Sequence, residues 1–424
     1  MNKDTVQSKT LKHDLCINCG ICEVSCLNNA IKMKRNKYCE LNPVIDYKKC
    51  TDCGLCSKYC PNTKTALKEE AVKVTFIEEP QAFGLENSSY YLAWSKDLKL
   101  HQSCCSGGVV TELAKYLLSA SKIDGMVHVE RLWAKRGELH YGARLSTGIN
   151  EIVENVSSAY QPIDFSEVLE KLKKDKTYFI TGTPCVIRGL KKLFAEHSKF
   201  RNIKIITCAL VCSHTTNAQV MDFLTEIHNL DNSKPYKINI RNKDNIPDAN
   251  NFNNHIYTEE KDLLKMNRFE SHWTDIWRSY YFAMNVCNYC SDFWGYEADI
   301  SVKDAWSIEW AKDPLGKSVV VIRNKELENL FKESNIEYEA IPYEIMKNHQ
   351  ISTSCYKQVE AKNKNFKSMF SRSNRRNGLL KNKLIAKSSK FLYKNFGYKT
   401  SKRVLKRMNK ILSPKIKKPH KPIK

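Results

Sequence analysis

The amino-terminal stretch MNKDTVQSKTLKHD has no apolar core of signal-peptide length, and no run of apolar residues elsewhere approaches the length of a membrane-spanning helix. A cytosolic location is expected. Acidic residues are all but missing from the end of the chain: from Lys357 to Lys424 there are 23 Lys and Arg against the single acid Glu360. The formal charge of the whole chain is +23, so the remaining 46 basic and 45 acidic side chains nearly cancel over the first 356 residues. The basicity belongs to a tail, and it does not mark the globular part as a nucleic-acid binder. No internal repeat is visible beyond one doubled cysteine run. A length of 424 residues allows two or three domains, each able to bury its own core.

Cysteine, by contrast, is plentiful. Seventeen cysteines in clustered short spacings, an odd number, argue for metal or redox use in a reducing compartment rather than for disulfides. Cys16, Cys19, Cys22 and Cys26 form CxxCxxCxxxC, and Cys50, Cys53, Cys56 and Cys60 repeat it, with Pro61 directly after. This is the bacterial ferredoxin pattern for two 4Fe-4S clusters, in which the fourth cysteine of each run ligates the other cluster. Cluster one is expected to take Cys16, Cys19, Cys22 and Cys60, and cluster two Cys50, Cys53, Cys56 and Cys26. Zinc is the alternative, because four-thiolate zinc sites also use CxxC pairs. Zinc ribbons separate two pairs by a long spacer, whereas here each pair is extended by a third and fourth cysteine, twice over. Leu27 stands where a proline often follows the fourth cysteine, which removes no ligand.

The expected fold class is mixed α/β (α+β): a ferredoxin-like domain over 1–77, an α/β core, and a basic helical tail. The ferredoxin part has short strands at Ile31–Met33 and Pro43–Asp46 and exits through Val72–Phe76; Glu78–Asn87, with Pro80 and Gly84, reads as a linker. Strands and helices then alternate. A strand at Tyr91–Trp94 leads to the turn SCCSGG and a helix carrying Val109, Val110, Leu113, Leu117 and Leu118. Strands follow at Met126–Val129 and Leu139–Leu145, then a helix at Phe165–Leu172. Tyr178–Thr181 is a strand entering Gly182-Thr183-Pro184-Cys185 and a helix with proline in its first turn; Ile203–Val211 is the next strand and Ala218–Ile227 the next helix. Further strands are expected at Ile238–Arg241, Ile300–Lys303, Val319–Arg323 and Ile336–Ile341, with an aromatic-rich helix over Trp273–Tyr289 and another over 325–333. Such alternation places cofactor-holding loops at strand ends.

Four short strings, in order, resemble the β-subunit family of coenzyme F(420) hydrogenases and dehydrogenases, a group of iron-sulfur flavoproteins. They are Ser106-Gly107-Gly108 opening a helix, GTPC at Gly182–Cys185, the Cys212 loop, and Cys287xxCys290 followed by DISVKDAW at Asp299–Trp306. The resemblance spans about residues 12 to 345 and implies a flavin-binding N-terminal family domain over 88–232 and a C-terminal family domain over 233–351; the basic amphipathic tail, read from its charge and spacing, follows over 352–424. It also implies bound FAD. Three positions depart from the family: Val186 replaces Gln, Ser213-His214 replaces His-Gly, and Lys303 replaces Gly before Asp-x-Trp; they bear on the family's deazaflavin coenzyme, whose use the sequence leaves open.

Ser106, Gly107 and Gly108 read as a phosphate cradle at a helix N-terminus, joined as cofactor-binding residues by Gly182, Thr183, Arg241 and Lys243. An ordinary serine-capped glycine turn explains the same three letters. Cys185 sits in a helical first turn, where the dipole favours a thiolate. With Cys212, Cys287 and Cys290 it supplies the four thiolates of a third 4Fe-4S cluster; a zinc site or unligated core cysteines are the alternatives. Asp304 is a candidate for orienting flavin or substrate, and His214 for donating a proton. Cys208 reads as packing, while Cys39, Cys104, Cys105 and Cys355 lack a partner at ligand spacing.

In the tail, apolar residues three and four apart, among them Leu380, Leu384, Leu405, Met408 and Leu412, alternate with lysines. That pattern suits an anionic membrane surface, such as the inner face of the membrane, or an acidic partner; nucleic acid and a solvated extension are the other readings. The functional expectation is an iron-sulfur flavoprotein oxidoreductase passing electrons between ferredoxin-type clusters and FAD, and from FAD to a substrate as hydride. Ferredoxin or another oxidoreductase subunit is the expected partner. The rivals are a relay subunit without a substrate of its own and a nucleic-acid-binding protein with structural clusters.

Overall fold

The computed structural model describes residues 4–36, 40–73, 88–156, 158–259, 263–269, 273–279, 282–307 and 309–348. The linker at Glu78–Asn87, the exit past residue 73, Cys39, Cys355 and the basic tail lie outside the described residues.

The two cysteine runs fold alike. Each loop carries a left-handed residue two positions after its first cysteine, Asn18 (φ 60°) and Asp52 (φ 59°), and each then turns on a glycine at φ 74°, Gly20 and Gly54. Asn and Asp are among the few side chains that tolerate this region, so the sequence places them where the loop demands it. Short helices at Ile21–Val24 and Leu55–Lys58 follow the turns. Strands β1 (Ile31–Arg35) and β2 (Leu41–Ile45) pair as an antiparallel hairpin.

The core domain is built on one eight-stranded sheet. Its strands are β3 (Ser89–Ser95), β4 (Gly125–Arg131), β5 (Tyr141–Ser146), β6 (Thr177–Gly182), β7 (Lys204–Leu210), β11 (Ile300–Asp304), β12 (Ser318–Ile322) and β13 (Ile336–Ala340). A smaller sheet contains β8 (Tyr236–Asn242), β9 (Asn253–Thr258) and β10 (Leu263–Asn267). The order in the large sheet is β13-β3-β12-β11-β7-β6-β4-β5; β4, β6, β7 and β11 run parallel in the middle and the outer pairings are antiparallel. This sheet crosses the boundary drawn at 232/233, because β11, β12 and β13 complete the sheet begun by residues 88–232. The antiparallel three-stranded sheet is the inserted unit instead.

Alternation along the parallel strands divides the core. Tyr178 and Ile180 of β6 face a cluster with Leu190 and Leu193 of helix Pro184–Glu196, whereas Phe179 between them joins Leu113, Leu117 and Phe331 on the opposite face. Burying one such leucine contributes roughly 1.5–3 kcal/mol. The first cluster also contains Leu15, Ile17, Cys19, Ile21 and Tyr59, so the ferredoxin-like module and helix Pro184–Glu196 share one core. Gly189 permits this approach: a Cβ there would lie 2.8 Å from Ile21 Cδ1 and 3.1 Å from Pro61 Cδ. Arg188 donates to the Pro61 carbonyl at 2.9 Å, and the Phe165 amide to that of Cys19 at 3.1 Å.

The expected long helix Trp273–Tyr289 is shorter, ending at Ser279 and followed by a 3-10 turn at Asn285–Asn288. Between them the backbone pairs with the Cys212 loop, through the bridge Thr216↔Ala283 and the Met284 amide donating to the Thr215 carbonyl at 3.0 Å. Those bonds satisfy backbone groups that a continued helix would have turned inward. The β9–β10 hairpin was not expected at all.

Candidate functional site

A cavity of about 820 Å³ opens beyond the carboxyl ends of the parallel strands, where open α/β sheets hold ligands. Its floor is made by Thr181 of β6, Leu210 of β7 and Val302, Lys303 and Asp304 of β11. Helix Val109–Ser119 points its N-terminus at the cavity, with Gly108, Val109, Val110 and Thr111 in the wall. The first amides of a helix have no intrahelical acceptor, so this end offers donors to an anion. Gly108 adopts φ +73°, and at Gly107 a Cβ would lie 2.5 Å from the Ala93 carbonyl oxygen; both glycines are needed for the turn to lie against β3 and β12.

Ser106, Gly108, Thr183, Arg241, His214, Asp304 and Cys212 all line the cavity; Gly107, Gly182 and Lys243 do not. The Lys243 ammonium is spent on the backbone, donating to the carbonyls of His101 and Ser106 at 2.7 Å and to that of Leu315. It therefore holds the Ser106 turn in place, and burial pushes its pKa down to about 8. Arg241 is buried at a β-bulge with φ 66°. Its guanidinium donates to Asp304 at 2.7 Å and to the Cys105 carbonyl at 2.9 Å, and lies 4.9 Å from the centre of the Trp306 ring. Burial would raise the Asp304 pKa, but the guanidinium holds this carboxyl below its usual value.

Three side chains of the wall escaped the sequence reading of the site. Arg268 stacks at 5.0 Å from the rings of both Trp306 and Phe252. Trp277 stacks on His214 with 3.8 Å between ring centres, while Ser213 Oγ meets His214 Nδ1 at 3.1 Å. Lys303 is almost fully buried, its ammonium donates to the Asp304 carbonyl at 2.9 Å, and burial pushes its pKa down to about 7. Arg268 and Trp277 lie in the inserted hairpin and shortened helix, which no motif marks. Lys303 was visible only as a departure from a family glycine. With Arg241 and Arg268 against Asp304 alone, the wall carries a surplus of positive charge suited to an anionic ligand.

The ferredoxin-type cysteines gather in one region. Cys16, Cys19, Cys22 and Cys60 lie close enough for thiolate charges to act on one another, Cys26, Cys60 and Cys50 act on Cys56, and Cys56 acts in turn on Cys22, so the two sets adjoin. Burial pushes Cys16 up to about 12 and Cys56 up to about 11, with neighbouring thiols adding to both. Thiols so disfavoured as isolated anions suit a site whose metal supplies the compensating charge. Among the described residues no three His, Cys, Asp or Glu converge on one point as a single ion requires. A cubane does not impose that, since it presents iron at separate corners.

Cys185 connects the two regions. It is the second residue of helix Pro184–Glu196, its thiol meets Thr183 Oγ1 at 3.5 Å, and its side chain packs against the core cluster that holds Cys19. The preceding Thr183 lines the cavity. Cys212 is fixed by its amide donating to the Phe293 carbonyl at 3.1 Å, and Cys287 accepts from the Thr215 amide at 3.5 Å, so backbone pairing brings the Cys212 and Cys287–Cys290 segments side by side. Cys104 and Cys105 also line the cavity, and Cys208 is buried on β7, as packing requires.

Three family descriptions match the chain: coenzyme F(420) hydrogenase/dehydrogenase, beta subunit N-term, over residues 90–170; the C terminus of the same subunit over 175–344; and a 4Fe-4S dicluster domain over 15–64. The F(420)-dependent formate dehydrogenase subunit beta of Methanocaldococcus jannaschii is 30% identical over 150 residues, covering 34% of this chain and 38% of that protein. The coenzyme F(420)-dependent sulfite reductase of the same organism is 25% identical over 277 residues, 61% of this chain and 39% of that protein. The matches thus span well under half of the length of either relative. Among solved structures, the F(420)-reducing [NiFe] hydrogenase complex from Methanosarcina barkeri contains a chain with a TM-score of 0.45 and 18% identity, covering 64% of this chain and 90% of that one.

Proposed function

Since the chain belongs to the coenzyme F(420) hydrogenase/dehydrogenase beta-subunit family and carries a 4Fe-4S dicluster domain, we propose that it is an iron-sulfur flavoprotein oxidoreductase that passes electrons between two 4Fe-4S clusters and FAD, and from FAD to a substrate as hydride. Cys16, Cys19, Cys22 and Cys60 would hold one cluster and Cys50, Cys53, Cys56 and Cys26 the other. FAD would lie in the 820 Å³ cavity, with its phosphates at the Gly108 helix end and among the arginines. The observation that carries the reading is Cys185: it packs against the core cluster that holds Cys19 on one side, and Thr183, two residues before it, lines the cavity on the other. A third cluster on Cys185, Cys212, Cys287 and Cys290 would fill that junction. A flavin joins one-electron clusters to two-electron chemistry, which is the purpose such a juxtaposition serves.

Ser213 and Lys303, two of the three departures from the family, line the cavity, while Val186 is buried in the core. The reading therefore names FAD and does not name the hydride partner. The formate dehydrogenase relative is described as a subunit, which favours a second reading, a relay that transfers charge inside a larger complex. Anaerobic purification followed by counts of iron, sulfide and flavin tests the proposal: about eight irons for two clusters, or about twelve with the third, should accompany one FAD. Zinc in place of iron, with no flavin released on heating, would refute it.

A further inference from the structure

Among the eight ferredoxin-type cysteines Cys53 alone is exposed; Cys19, Cys22 and Cys56 are buried and the other four are half-buried. Around Cys53 the surface is unusual for this protein. Leu27 (58% exposed), Tyr47 (58%) and Val44 (47%) are three of the nine large apolar side chains exposed among the described residues. The Leu27 loop is tied to the Cys53 loop by Asn28 Nδ2 donating to Thr51 Oγ1 at 2.9 Å, and Tyr47 leads through Lys48 and Lys49 directly into Cys50. Over residues 27–35 and 44–53 there are five exposed Lys or Arg, Lys48 and Lys49 among them, against two exposed acids, Asp46 and Asp52.

We propose that this face docks a small acidic one-electron carrier protein, which exchanges electrons with the protein through the Cys53 set. The inference rests on the iron-sulfur reading above. An apolar centre within a basic surround is complementary to a carrier whose own cofactor edge is apolar and ringed by carboxylates: the charges steer the encounter and the apolar contact seats it. Each encounter oxidises the reduced carrier by one electron and reduces the nearer cluster by one, with no proton or group transferred. Cys19 of the other set offers no such approach, because it is buried in the core with Phe165, Ile21 and helix Pro184–Glu196.

The test is anaerobic stopped-flow reduction of the holoprotein by a reduced acidic 2Fe-2S ferredoxin, with reduced methyl viologen as the small donor. For the wild type, the ferredoxin rate should fall steeply as salt is added. The double variant Lys48→Glu/Lys49→Glu should take electrons from ferredoxin about tenfold more slowly. It should lose most of the salt dependence, while the cationic viologen is not slowed and iron content is unchanged. Lys122→Glu, an exposed reversal outside the module, should leave the ferredoxin rate unaltered. An unchanged ferredoxin rate in the double variant, or equal slowing of both donors, overturns the docking face. If viologen reduces the clusters but the flavin never bleaches, the oxidoreductase reading fails instead, and the docking face stands on its own measurement.

Discussion

Asp304 Oδ2 accepts from the Arg241 guanidinium at 2.7 Å and from the Trp306 indole at 3.1 Å, so one carboxylate oxygen fixes both the cation and the aromatic ring of the cavity wall. The two partners come from different sheets: Asp304 ends β11 of the large sheet, and Arg241 sits on the bulge of β8 in the small one. The pair therefore sets where the inserted unit lies over the strand ends, and the shape of the cavity follows from it.

Asp304→Asn should cost about 2 kcal/mol, because it leaves the buried guanidinium with an uncompensated charge. The carboxyl is held below its usual value in the folded protein, so its contribution is present above about pH 4 and is lost as pH falls through the depressed value. Urea midpoints of wild type and variant should differ at neutral pH and converge in acid; a gap unchanged down to low pH would remove the ion pair from the account.

Lys303→Met should stabilise the protein. Burial lowers the folded pKa of Lys303 to about 7, below its unfolded value, so the native state binds fewer protons than the unfolded state between about pH 7 and pH 10. Wild-type stability gained through this lysine rises with pH across that window, and its penalty is full below it. The variant's Tm should exceed the wild type by about 3 °C or more at pH 6.5 and approach it at pH 10. A lower Tm for the variant at pH 6.5 would show that the lysine is held by more than the Asp304 carbonyl.

Gly107→Ala should disturb the cavity wall from behind. Its Cβ would meet the Ala93 carbonyl oxygen at 2.5 Å and the Ser318 amide nitrogen at 3.0 Å, and neither backbone atom can move without shifting a strand. A loss of about 2 kcal/mol and of bound flavin is expected; full flavin retention with unchanged stability would mean that the turn is not the cradle.

Cys287→Ser should lower iron from about twelve to about eight per chain, while the spectrum of the ferredoxin-type clusters persists. Unchanged iron content would eliminate the third cluster.

Local chemistry made much of this legible in the sequence. Pro184 at a helix start and the apolar strands β6, β7 and β11 each carry their signal within a few residues, and the structure places them as expected. The matched relatives and family descriptions bear out the resemblance that GTPC, Cys287xxCys290 and DISVKDAW suggested. What was hidden depends on long-range pairing. The β9–β10 hairpin mixes apolar residues with Asn253, Asn254 and Asn267 without regular alternation, the helix at Trp273 yields to pairing with the Cys212 loop, and Lys243 resembles a ligand-binding cation until three carbonyls are seen around it.

The central claim is that electrons entering the cysteine-bound clusters reach a flavin in the strand-end cavity. Anaerobic titration of the purified protein with a one-electron donor, following the clusters by EPR and the flavin by its visible absorbance, measures this directly. The account predicts that the clusters and the flavin are reduced together in rapid equilibrium, with the flavin taking two electrons. Clusters that become fully reduced beside a flavin that stays oxidised would contradict it.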